Sequence, residues 1–344
     1  MLEPHQKLTI FADGSMGDLD AKMAEGVLRY IENPICCVVD SRSAGSRVRD
    51  VCAVPSDVPI VASIEEAIHL GAEVLVLGTA PSGGRIPPKW MDTLDKAVAS
   101  GLSIVNGSHD RLGEHYPQTK GQDQWIWDIR DTLGAAPPIA TGLAGTLDNK
   151  RLLVVGTDMA IGKMTVGLEI DRYLRKNNCS SIFLATGQIG VTISGHGIAL
   201  DAFKVDHACG AVERMVMAAA DHDVIVIEGQ GSLLHPGSTA TLPLMRGSCA
   251  NKLIMCHKAG MDRIQEHRTA VKVPPMSQFI ALNEDLASVC GSLTKAQTIG
   301  IALNTRELSE ADALAAIAEL EAETGLPVQD VVRFGAEKLA RALM

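Results

Sequence analysis

With 344 residues, 46% of them hydrophobic and 21% charged, the chain is long enough to bury two cores and has the balance of an ordinary globular protein. Its net charge of -10 argues against a nucleic-acid partner, since neutralising phosphates takes concentrated Lys and Arg. No apolar run reaches the roughly 18 residues of a helical span, so no membrane partner is expected.

The first half alternates short apolar runs with amphipathic stretches. Strands are predicted over residues 8–12, 35–40, 60–61, 74–78 and 102–106, and helices over 21–30, 64–70 and 89–100. Gly14 and Gly17 fall in the turn after the first strand, and the second strand runs into the polar segment 40–45. Such alternation predicts a parallel sheet with right-handed crossovers, a Rossmann-like N-terminal domain. Ligands of these sheets sit beyond the strand C-termini. Arg42, Arg85, His109 and Arg111 fall in turns of that kind and are candidate substrate-binding residues. An Arg fork suits carboxylates or phosphates, and for at least some of them surface solubilising charge is the better reading. From 107 to 149 the periodicity fails. The stretch reads as an irregular connection, kept ordered by Trp125 and Trp127, with a boundary that divides the chain into domains 1–136 and 137–344.

The second half opens on an apolar run, Leu152 to Val155, that feeds the loop Gly156, Thr157, Asp158, Met159, Ala160, Ile161, Gly162 and Lys163. A helix is predicted over 164–175. This is the layout of a phosphate cradle: glycines let backbone N–H groups converge on an anion, the helix N-terminus adds partial positive charge and Lys163 a full one. The match to G-x-x-x-x-G-K-[ST] is partial. Thr157 stands where the first Gly is usual, and Met164 stands where a magnesium-binding hydroxyl is expected, with Thr165 one place later. Further strands are predicted over 181–186, 224–227, 252–256 and 298–303, with helices over 209–220, 277–289, 310–324 and 336–343. Residues 187–197 read as a Gly-rich turn.

Several side chains near this loop suit chemistry. Asp158 is an unhelpful charge beside an anion unless it takes part in the reaction. Glu228 follows a four-residue apolar run, where a metal-holding or water-orienting acid stands beside a phosphate loop, and Gly229 and Gly231 suggest close ligand approach. Gln188 can donate or accept near phosphates, and His235 is a candidate base. His196, Asp201, Asp206, His207 and Glu213 cluster in sequence, but no i,i+4 His pair marks a metal site. The eight Cys likewise show no C-x-x-C spacing. Residues 1–7 lack the build of a secretory signal, so the thiols read as reduced and the expected compartment is the cytoplasm.

Taken together, the loop from Gly156 to Thr165, the Ala185-Thr186-Gly187-Gln188 turn, Asp201 with the 210–213 segment, the 228–232 segment with His235-Pro236, and the 300–305 strand resemble one family. It is the two-domain family catalogued as a domain of unknown function, whose better-understood members are N-acetyltransferases acting on D-glutamate (DgcN-like). The resemblance extends to 74–85 and 107–109 of the first half. It implies a C-terminal domain of the dethiobiotin-synthetase branch of phosphate-loop folds, in which Asn304 ends the strand that contacts the base. It also implies acetyl transfer from acetyl-CoA to the amine of D-glutamate. Gly162, Lys163 and Thr165 would then anchor CoA phosphates, one of Asp158, Glu228 and His235 would take the amine proton, and Arg residues would clamp the substrate carboxylates. Two other activities stay open at this point: an ATP- and Mg²⁺-dependent ligase or kinase using Thr165 and Glu228, and a non-catalytic nucleotide sensor. The apolar content and short surface loops are compatible with a homo-oligomer.

Overall fold

The computed structural model describes residues 2–79, 81–119, 123–132, 138–264 and 270–344, and the expected boundary between 136 and 137 falls outside them. The chain forms two compact units, Met1–Gly134 with Gln188–Gly195, and Ala135–Gly187 with His196–Met344.

In the first unit, β1 (Leu8–Phe11), β2 (Ile35–Val39), β3 (Ile60–Val61), β4 (Val74–Leu77), β5 (Ser103–Asn106) and β6 (Ile126–Asp128) form one parallel sheet in the order β3-β2-β1-β4-β5-β6. Strands β1, β4 and β5 are buried along their whole length, as near-continuous apolar runs covered on both faces should be. The crossovers carry α1 (Lys22–Tyr30), α2 (Val48–Val51), α3 (Ile64–His69), α4 (Met91–Ala99) and α5 (Leu112–His115). Helix α1 buries Met23, Val27 and Tyr30, spaced four and three apart on one face. Phe11 meets Trp90 edge to face at 5.1 Å in the core. The sheet grows outward from β1 to β3 and then restarts on the other side of β1 with β4, so β1 marks a topological switch point.

The stretch from 107 to 149 departs from its irregular reading. It contains α5 and β6, and β6 pairs with β5 through Ile104, Val105 and Asn106. A three-residue edge strand with half-buried side chains carries too little periodicity to be seen locally. Asp128 secures it, accepting from Asn106 Nδ2 at 2.7 Å, Leu112 N at 3.1 Å and Gly113 N at 2.8 Å.

In the second unit, β7 (Lys150–Gly156), β8 (Ser181–Leu184), β9 (Val224–Ile227), β10 (Lys252–Lys258), β11 (Gln297–Asn304) and β12 (Val328–Gln329) form a parallel sheet in the order β12-β11-β10-β7-β9-β8. Around it run α6 (Lys163–Lys176), α8 (Val205–Met217), α9 (Thr241–Ser248), α10 (Met276–Ser288), α11 (Glu310–Thr324), α12 (Val331–Phe334) and α13 (Glu337–Leu343), the intervening helix α7 (Gln188–Ser194) belonging to the first unit. Leu153, Val155, Ile225, Ile227, Leu253 and Met255 are essentially inaccessible and supply the sheet's part of the core. Each such side chain contributes roughly 1.5–3 kcal/mol of burial.

Helix α7 replaces the expected Gly-rich turn. Gly190 is buried within it, and the positive φ values come only after its end, at Gly195 (70°) and Gly197 (136°). The Gly195 N–H bonds Val191 O at 2.9 Å, which closes the helix. Tertiary packing overrides the weak helix propensity of Gly190, Val191 and Thr192. Glu213, one of the acids clustered in sequence, is buried on α8 and accepts from the N–H groups of Thr141, Gly142 and Leu143 and from the Thr141 hydroxyl at 2.8–3.1 Å. It anchors the chain where it enters the second unit. Among the described residues, no three His, Cys, Asp or Glu side chains gather as metal ligands, and no helix is long and apolar enough to cross a membrane.

Candidate phosphate-loop site

Strand β7 lies between β10 and β9, and its C-terminal Gly156 opens the loop that leads to α6. Thr157 is fully buried; its N–H bonds the Cys256 carbonyl at 3.1 Å, so β10 holds the start of the loop. Ala160 has φ 54° and Gly162 φ 112°, two left-handed residues that bend the backbone back toward the helix. No atom lies within 4 Å of the position a Gly162 Cβ would take, so the outer side of the bend is open. Helix α6 has no side-chain cap, which leaves its first-turn N–H groups for an anion. Met164 and Thr165 are half-buried in that turn. Asn304, the last residue of β11, donates from Nδ2 to Ile161 O at 3.3 Å and steadies the loop from the other side.

Lys163 is buried, with 6% of its surface exposed, and its Nζ donates to the Asp158 carbonyl at 2.6 Å. Burial pulls its pKa down, opposed by Cys256, Asp158 and Glu228. The Asp158 carboxylate accepts the Met159 N–H at 2.7 Å. Glu228, at the end of β9, is buried and accepts from Thr186 N at 2.7 Å and Gly187 N at 3.2 Å. Burial pushes its carboxyl up to about 7, against the pull of those two N–H groups and of Lys163. A carboxyl poised there beside a buried ammonium has the proton affinity of a general base working near neutral pH.

The glycines after Glu228 have a different origin from ligand approach. A Cβ on Gly229 would collide with the Val154 carbonyl of β7, and one on Gly231 (φ 65°) with the Ser238 hydroxyl. Both are required by packing of the chain on itself. His235 sits in the tight turn 232–238, where its Nδ1 accepts the Gly237 N–H at 3.1 Å. Gln188 opens α7 and so lies in the first unit.

The candidate substrate residues all lie in the first unit, in loops that follow strands. Arg42, after β2, pairs with Asp18 at 2.7 Å; Arg85, after β4, pairs with Asp110 at 2.8 Å; Arg111, after β5, pairs with Glu114 at 3.0 Å. The His109 N–H bonds Gly84 O at 2.8 Å, which joins the loops after β4 and β5. Arg85 and His109 are thereby brought together on adjoining loops.

Sequence reasoning missed His257. Its Nδ1 is 3.0 Å from the Thr157 hydroxyl, and burial pushes it down to about 4, so it is a neutral imidazole against the loop. Cys256 is buried beside Lys163 and is pushed up to about 12. The signal lies in register: β10 runs parallel to β7 with Cys256 opposite Gly156, which sets His257 level with Thr157.

A Rossmann-like unit and a P-loop unit define the class: a two-domain α/β protein, each domain built on a parallel sheet. The chain belongs to the DUF1611 family: residues 41–132 match its N-terminal domain of unknown function, described as Rossmann-like, and residues 138–340 match its C-terminal P-loop domain. It is similar to a protein of Pseudoalteromonas named D-glutamate N-acetyltransferase, 33% identical over 282 residues, covering 82% of this chain and 84% of that one. A Tritonibacter scottomollicae protein of the same name is 34% identical over 290 residues, with the same coverage of 82% and 84%. The crystal structure of a DUF1611 family protein from Anabaena variabilis superposes with a TM-score of 0.92 at 45% identity, over 99% of each chain.

Proposed function

We propose that the protein transfers the acetyl group of acetyl-CoA to the amine of D-glutamate. The observation that carries this reading is the loop itself: it keeps a buried Lys163 and an uncapped helix N-terminus but has Met164 where a magnesium-binding hydroxyl is expected, so it is built to hold phosphates more than to break them. The adenosine 3'-phosphate or the pyrophosphate of CoA suits such a cradle, and acetyl transfer from a thioester needs no phosphoryl chemistry. The names of the two similar proteins point to the same reaction.

In this reading the Glu228 carboxylate takes a proton from the substrate ammonium, and the free amine attacks the thioester carbonyl. The tetrahedral oxyanion is held by backbone N–H groups. The C–S bond then breaks, the extra proton on the acylated nitrogen goes to the departing CoA thiolate, the proton held by Glu228 passes to solvent, and the products are N-acetyl-D-glutamate and CoA. Of the three candidate bases, Glu228 is favoured because it is buried near Lys163 and is pushed up to about 7.

Incubation with D-glutamate plus acetyl-CoA, or with D-glutamate plus ATP and Mg²⁺, separates the readings. Thiol release with acetyl-CoA alone is the expected result. Phosphate release with ATP and no thiol release would replace this reading with the ligase or kinase, and nucleotide binding without either release would replace it with a sensor.

A further inference from the structure

Strand β2 carries two adjacent cysteines, and its pairing with β1 is irregular where they fall. Leu8 stands opposite Ile35 and Thr9 opposite Cys37, so one step along β1 spans two along β2. Cys36 is the extra residue of a β-bulge. In a regular strand neighbouring side chains point to opposite faces of the sheet. Here both thiols meet one apolar cluster: Cys37 is a fully buried member of it, and Cys36 packs against it. The two Sγ atoms are 3.8 Å apart.

Each sulfur has a fixed place. As a thiol, Cys36 donates to the Leu8 carbonyl at 3.1 Å, and Cys37 Sγ lies 3.2 Å from the Thr9 hydroxyl. Their access to solvent differs, since Cys37 is sealed in the core and Cys36 is half-buried. The hydrogen bond from Cys37 draws the Cys36 thiol below its ordinary pKa, and Lys7 acts in the same direction against burial. The same bond, with burial, pushes Cys37 up. The pair therefore divides into an accessible sulfur that ionises first and a buried one that keeps its proton beside it. Both belong to the first unit and take no part in the phosphate-loop site of the second.

We propose that Cys36 and Cys37 form a peroxide-reactive dithiol, with Cys36 as the attacking sulfur and Cys37 as the resolving one. The Cys36 thiolate attacks one oxygen of hydrogen peroxide. The O–O bond breaks, the sulfur keeps an OH group as a sulfenic acid, and the departing hydroxide takes up the proton that Cys36 released. Cys37 Sγ then attacks Cys36 Sγ and gives up its own proton. The S–O bond breaks, and hydroxide leaves with that proton as water. In sum, two thiols are oxidised to one disulfide and one peroxide is reduced to two waters. The intervening peptide bond holds the two Cα atoms about 3.8 Å apart, closer than most disulfides allow. The bridge is therefore strained, and a small thiol reduces it readily.

Mass spectrometry of the full chain tests this after complete reduction, exposure to equimolar hydrogen peroxide and digestion. The peptide holding Cys36 and Cys37 should lose two hydrogen atoms and regain them with dithiothreitol. It should do so on the order of tenfold faster than Cys290, an exposed thiol, gains oxygen. In Cys37→Ser the resolving sulfur is gone, and Cys36 should instead hold one oxygen that dimedone traps. The wild-type measurement carries the test by itself if that variant fails to fold. Two cysteines that merely fill the bulge would stay reduced, or react more slowly than Cys290, and either result overturns the proposal. So does oxygen on Cys36 of the wild type without loss of the two hydrogens, because Cys37 would then resolve nothing.

Discussion

The ammonium of Lys163 donates to the main-chain oxygen of Asp158 at 2.6 Å, five residues back along the loop it closes. The lysine is thus folded onto its own loop and buried. In the proposed acetyl-CoA reading, an entering phosphate would give it a charge-assisted partner in place of a neutral carbonyl, a stronger bond at a buried site.

Replacement of Lys163 by Ala should therefore weaken acetyl-CoA binding by about 2–3 kcal/mol, on the order of 30- to 150-fold. The fold should survive, because the side chain lost is a desolvated cation. Calorimetry with acetyl-CoA checks this, and undiminished affinity in a folded variant would remove the loop from the CoA site.

Glu228→Gln should lower kcat roughly 10²- to 10⁴-fold and abolish the acidic limb of the pH–rate profile, which in the wild type should rise with pH toward a plateau above about 7. Stability gives a second readout. The folded protein keeps the Glu228 proton up to about 7 whereas a free carboxyl releases it at 4.5, so the folded state binds more protons in that window. Wild-type stability attributable to this group should fall as pH rises through it, by roughly 3 kcal/mol in total. Denaturant titrations between those pH values should show the slope in the wild type and its loss in Glu228→Gln.

Met164→Thr restores the hydroxyl that a magnesium-nucleotide loop carries. ATP affinity in the presence of Mg²⁺ should rise by about 1–2 kcal/mol while acetyl-CoA affinity stays nearly constant. A loss of acetyl-CoA binding without any gain for ATP would show that Met164 is a packing element of the acetyl-CoA site.

Gly229→Ala places a methyl group against the Val154 carbonyl. The variant should lose about 3 kcal/mol or more with or without ligand, since a backbone atom cannot yield as a flexible side chain can. Thermal melting with and without acetyl-CoA checks it; normal stability with lost binding would return this glycine to a ligand-contact role.

The legible parts of this protein were those written in local pattern. Residues 224–227 are an unbroken apolar run and form β9 as read, and 310–324 form α11 with the expected bounds. The strand, loop and helix around Lys163 followed from spacing and charge alone. Helix α7 and strand β6 were not legible, because Gly190 and Trp127 owe their conformations to neighbours distant in sequence.

What the sequence determined by itself was the alternation of strand and helix, the phosphate loop and its missing hydroxyl, since hydrophobic period and glycine spacing act over a few residues. The tertiary structure alone decided that Glu228 is buried near Lys163, that the glycines after it serve packing, and that His257 stands level with Thr157. The physical reason is that burial and parallel register are set by pairing between distant segments, and proton affinity follows from burial.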